Sequence, residues 1–158
     1  MIAVLQAVRS KAADLLMKGL SVTTLEAATS SAPIGVVADA ANATQALAHV
    51  LAKPETVNAL ALIAPSAIEL GAIDEMLAGK LSSLTTPVLA LFGMRDADAQ
   101  AGAAAYRKAL PGCNVMFVYD ASGDMANERP EAVASAVSAF VRQRERYVAS
   151  DRSGRLFP

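Results

Sequence analysis

The stretch VVADAANATQALAHVLAKPETVNALALIAP, residues 36–65, decides the fold. It opens on a short apolar run, Ile34-Gly35-Val36-Val37-Ala38, and closes on a second, Ala59-Leu60-Ala61-Leu62-Ile63. Between them, Ala43 to Leu51 has helical spacing. Neither run alternates apolar with polar residues, as a strand buried on only one face would. Both therefore read as strands covered on both faces, joined by a helical crossover in a parallel sheet. Such crossovers are right-handed.

The pattern continues toward the C-terminus. Ile73 to Leu81 reads as helix, and Pro87-Val88-Leu89-Ala90-Leu91-Phe92 as a third strand. Ala97 to Leu110 reads as a helix stopped by Pro111-Gly112, followed by a fourth strand, Val115 to Tyr119. Pro130 opens a last helix to about Arg146, at the first-turn position proline tolerates. Toward the N-terminus, Val4, Leu5, Val8, Ala12, Leu15 and Leu16 fall on one helical face, which predicts a helix over 2–18 that stops at Gly19. Thr23 and Glu26 form a capping-box pattern for a helix over 24–29, while the β-branched Val22-Thr23-Thr24-Leu25 equally reads as a strand. The expected architecture is α/β, one domain over 1–146 with a roughly four-stranded parallel sheet flanked by helices. An extended tail follows over 147–158, where Leu156 and Phe157 offer anchors.

Composition narrows the function classes. The formal net charge is −1, and the basic residues are scattered apart from Arg142 to Arg146, which suits a solvated helix C-terminus. Nucleic acid is therefore not an expected partner. Mean hydropathy is high at +0.36, yet Lys53, Pro54, Glu55 and Asn58 break the apolar stretches before any reaches bilayer length. No membrane span and no signal peptide are expected. The single cysteine, Cys113, excludes an internal disulfide and fits a cytoplasmic protein. It reads as structural, and Met94, Met116 and Met125 read as core filler. The apolar surplus points to a buried subunit interface.

Ligands of open parallel sheets collect at the carboxyl ends of the strands. The residues there are Asp39 to Asn42, Ala64-Pro65-Ser66, Gly93 to Asp98 and Asp120 to Asp124. In this frame three segments resemble the α/β-hydrolase superfamily. Val36 to Pro65 is similar to its nucleophile elbow, helix and next strand, with Lys53 to Pro65 looking much like "HPERVRALVLIAP". Pro87 to Asp96 resembles the strand that ends in the triad acid. Gly123 to Val141, with Asn127-Glu128-Arg129-Pro130-Glu131, resembles the segment "GH…ERPE". The likeness covers roughly residues 33–146.

The resemblance implies a G-x-S-x-G turn in which a strained bend presents the nucleophile. Counting back from Pro54, that position is Ala40, which has no atom able to attack a carbonyl. Ala38 and Asn42 replace the flanking glycines, so the bend is expected to be relaxed. Asp39 lies one place early. Asp96 corresponds to the acid, and Asp124 stands where the histidine belongs; a carboxylate cannot replace an imidazole poised near neutral pH. The only histidine, His49, lies within the helix after the bend and reads as structural. The family's earlier strands, its oxyanion loop and most of its lid are expected to be missing.

Catalytic residues are therefore not assigned. Asp39, Asn42, Ser66, Asp96 and Ser122 are candidates for a ligand rim. Asp96 reads equally as a cap for the helix near Ala97. Asp39, Asp96 and Asp124 together could hold a divalent cation, although no metal or other cofactor is assigned. Ser66 and Ser122 have no histidine to activate them. Two functions remain open: a non-catalytic binding or assembly protein on a hydrolase core, or an esterase-like hydrolase with a relocated, aspartate- or metal-assisted site. Without earlier strands, the 34–38 strand would be an exposed edge. That predicts a homodimer through this edge, the 2–18 helix, or both. A separately encoded N-terminal half is a further possible partner. Three crossover helices should cover one sheet face, and the first and last helices the other.

Overall fold

A computed structural model describes residues 2–4, 10–19, 22–23, 33–76 and 79–143. Six parallel strands form one sheet, β1 (Ile2–Val4), β2 (Val22–Thr23), β3 (Ile34–Asp39), β4 (Val57–Ile63), β5 (Val88–Gly93) and β6 (Cys113–Val118), in the order β2-β1-β3-β4-β5-β6. The four long strands are those expected. Six helices accompany them: α1 (Lys11–Gly19), α2 (Ala43–Ala52), α3 (Ala67–Met76), α4 (Ala99–Ala109), α5 (Met125–Glu128) and α6 (Pro130–Gln143).

Strand alternation divides the core between the two faces. Val36, Ala38, Leu60, Leu62, Val88, Ala90 and Phe92 pack with α2, α3 and α4 on one face. Val37, Ala59, Ala61, Ile63, Leu89 and Leu91 pack with α1, α5 and α6 on the other. Every other residue of a strand faces the same way, so a run without polar alternation fills both layers. The three-layer arrangement is that of a truncated α/β-hydrolase fold. Burying one leucine side chain in such a layer contributes roughly 2 kcal/mol, and Leu47, Leu60, Leu62, Leu89 and Leu91 are each fully buried.

Three expectations are corrected. The first concerns the N-terminal region: residues 2–4 are a strand, and the helix begins only at Lys11. Ile2-Ala3-Val4 suits a strand as well as a helix, and β3 supplies the pairing that decides between them. The second follows from it. The 34–38 strand is not an edge, because β1 pairs with it on one side and β4 on the other. Nor is the helix face of that region free for a partner, since Ala12, Ala13 and Leu16 are buried within the chain's own core. The third is the helix expected over 73–81, which lies earlier, at Ala67–Met76, followed by a separate 3₁₀ turn at Lys80–Ser83. Gly79 at φ 73 divides the two. Val22–Thr23 is a strand, while the alternative helix over 24–29 and the tail over 147–158 lie outside the described residues. Among the described residues no helix is long and apolar enough to cross a membrane.

Candidate functional site at the carboxyl ends of the strands

Because every strand is parallel, all the strand exits open on one rim. Described residues line two cavities there. One, of about 260 Å³, is lined by Ser10, Asp39, Ala40, Ala41, Ile63, Gly123, Asp124, Ala126 and Asn127. Its neighbour, of about 360 Å³, lies between β4–α3 and β5–α4, where Ser66, Phe92, Asp96 and Asp98 contribute to its wall.

The structure thus brings Ala40 and Asp124 to one cavity, as their strand-end positions imply, together with Asp39. Asp96 and Ser66 line the other cavity. Asn42 and Ser122 line neither. His49 sits in the last turn of α2, about 9 Å further along the helix axis than Ala43, and lines neither cavity. Asp96 contributes to the wall of the second cavity rather than the first, although its Oδ2 lies close to Gly123 on the first. Among the described residues, no three carboxylate, imidazole or thiol groups converge to hold a metal.

The bend after β3 is built from a cap. Asp39 is extended, at φ −84° and ψ −178°. Its Oδ1 accepts from the Asn42 backbone N–H at 3.2 Å and from Asn42 Nδ2 at 2.7 Å. Residues 40–42 then form a 3₁₀ turn that leads directly into α2. Ala40 is not among the residues with positive φ; the non-glycine cases are Ala64 at 52° and Asp120 at 50°. The turn is relaxed, as the replacement of the flanking glycines implies. The Asp39 carboxylate also sits at the start of α2, where the helix dipole and free N–H groups favour negative charge.

The opposite wall of the cavity is cross-braced. Asp124 Oδ1 accepts from Asn127 Nδ2 at 2.7 Å, and Asn127 Oδ1 accepts from the Lys11 N–H that begins α1, at 3.1 Å. Glu128 receives the Ser122 backbone N–H at 2.6 Å, the Ser122 hydroxyl at 3.1 Å and Arg95 at 2.9 Å. Arg95 also lies 3.6 Å from Asp120. The Ser122 amide is the main cause that holds the Glu128 carboxyl below the usual range; desolvation opposes it, and the Ser122 hydroxyl and Arg95 add to the lowering. Sequence reasoning did not assign roles to Arg95, Asn127, Glu128 or Ser10. The Asn-Glu-Arg-Pro run was the available signal, but its partners are distant in sequence.

Asp96 lies in the turn before α4, whose N-cap is Asp98, without a side-chain cap bond. Its Oδ1 accepts from the Asp98 N–H at 3.2 Å and its carbonyl from the Ala99 N–H, so it shapes the turn into α4. Beneath the second cavity, Tyr106 is buried, stacks edge-on against Phe92 and reaches the Ser66 carbonyl at 3.5 Å. Cys113 begins β6 at the opposite end of the strands from this rim. Burial pushes its thiol up to about 12, so it is not a thiolate near neutral pH.

The expected loss of earlier strands is corrected in part. β1 pairs parallel with β3 and exits on the same rim as Ala40. Residues 5–9, between β1 and Ser10, lie outside the described residues.

Comparison with known proteins bears on the fold. No protein-family model matches the sequence, and no curated protein matches it. Solved structures do. A predicted CIB-like hydrolase from Thermoplasma acidophilum is 19% identical at a TM-score of 0.59, over 83% of this chain and 58% of that one. An α/β-hydrolase enzyme, MGS-MChE2, from a metagenome of lagoon sediments is 15% identical at a TM-score of 0.58, over 71% of this chain and 62% of that one. Carboxylesterase CesB from Bacillus subtilis is 16% identical at 0.59, over 85% and 68%. The chain has the α/β-hydrolase fold, and it spans less than two thirds of the length of the first two of these proteins.

Proposed function

We propose that this chain, an α/β-hydrolase fold by its architecture, is a non-catalytic member of that architecture, a pseudoenzyme whose rim serves binding or assembly. The observation that carries the reading is Ala40. A methyl group lines the cavity where the fold presents its nucleophile, on a backbone without the strained φ of an elbow. Hydrolysis through a covalent intermediate needs an attacking atom at that point, held by a base.

Electrostatics supports the same reading. Acyl transfer builds negative charge on an oxyanion, which a working site stabilises with aimed N–H donors or cations. Among the described residues that line the cavity are two carboxylates, Asp39 and Asp124, and no lysine, arginine or histidine. Asp39 already takes an N–H at the start of α2. A cavity of this charge favours neutral or cationic guests. A chain with one cysteine and no internal disulfide fits a cytoplasmic setting.

One observation favours a second reading. Asp39 and Asp124 face the same space, as the carboxylates of an aspartate- or metal-assisted hydrolase would. A panel of p-nitrophenyl esters and phosphate monoesters, run with and without magnesium, manganese and zinc, separates the two. The expected result is background hydrolysis throughout, including for the double variant Ala40→Ser/Asp124→His. Turnover by the wild type that disappears in Asp39→Asn or Asp124→Asn would establish the second reading instead.

A further inference from the structure

We draw no further inference here: the strongest candidate, the β6 edge of the sheet with the largely apolar groove that Met94, Met116, Phe117 and Tyr119 line beside it, is an unpartnered face among the described residues, and nothing in the structure shows what covers it.

Discussion

The end of β3 and the ends of two other strands, β4 and β6, leave the sheet in different ways. β3 exits through extended Asp39 into a capped turn with ordinary dihedrals. β4 exits through Ala64 at φ 52° and β6 is followed by Asp120 at φ 50°, both in the left-handed region. An α/β-hydrolase concentrates strain at its nucleophile; here the left-handed residues follow β4 and β6, both on the same side of β3 in the sheet. The difference has a physical basis. At Ala40 nothing beyond the chemistry of an elbow would require strain, and a carboxylate cap offers an unstrained route into α2. At Ala64 the amide bonds the Leu91 carbonyl at 2.9 Å and the next residue, Pro65, is buried, so packing holds the turn. At Asp120 the residue type tolerates the left-handed region, and its carboxylate meets Arg95.

The largest expected effect tests how tightly the braced side is built. A Cβ on Gly93 would lie 2.3 Å from the Ser122 carbonyl oxygen and 2.4 Å from that of Ala121. Both are backbone atoms. Gly93→Ala should therefore cost about 3 kcal/mol in urea unfolding, whereas Gly112→Ala, in open space, should not approach that loss. Removing the cap on the relaxed side comes next. Asp39→Ala should cost about 1 kcal/mol, with Asp39→Asn retaining most of the stability.

A smaller effect differs in sign between the two regions. Ala64→Gly relieves a left-handed residue and should stabilise by about 0.5 kcal/mol after the lost methyl contact is set against it. Ala40→Gly relieves nothing and should destabilise by a similar amount, about 0.5 kcal/mol. Paired thermal melts measure both, and equal signs would break the comparison. The smallest effect is the surface brace. Glu128 is held below its ordinary range chiefly by the Ser122 amide. Its contribution is fully present above the unfolded carboxyl value of about 4.3 and is lost as pH falls through the lower folded value. The stability gap between wild type and Glu128→Gln should be constant near neutral pH and close in acid, read from melts across a pH series.

The long strands and most crossover helices were legible because their patterns are strong. Val36 to Ile63 carries two apolar runs and a helical face between them. Of the two short strands, Val22–Thr23 was legible only as an alternative to a helix, through its β-branched residues, and Ile2–Val4 was not legible. Ile2-Ala3-Val4 has too few residues to show a period, and it becomes a strand through pairing with Gly35 to Val37. The shift of α3 has a similar cause: it carries apolar residues around its circumference, and Ile68 is 87% exposed. At the site, the positions of Ala40 and Asp124 on one cavity were legible from the order of segments. The grouping of Asp96 with Ser66 was not, because it depends on how two loops spread apart. The Arg95–Glu128–Ser122 brace was equally hidden, since its members come from two separate strand exits.

The cap on the 3₁₀ turn that leads into α2 also sets the terms for any side chain added at the bend. A hydroxyl at position 40 would sit beside a carboxylate already satisfied by Asn42, on the same cavity as a second carboxylate that Asn127 holds in place. An imidazole at position 124 would forfeit that Asn127 contact. Either newcomer would enter a rim whose hydrogen bonds are already made among its own residues.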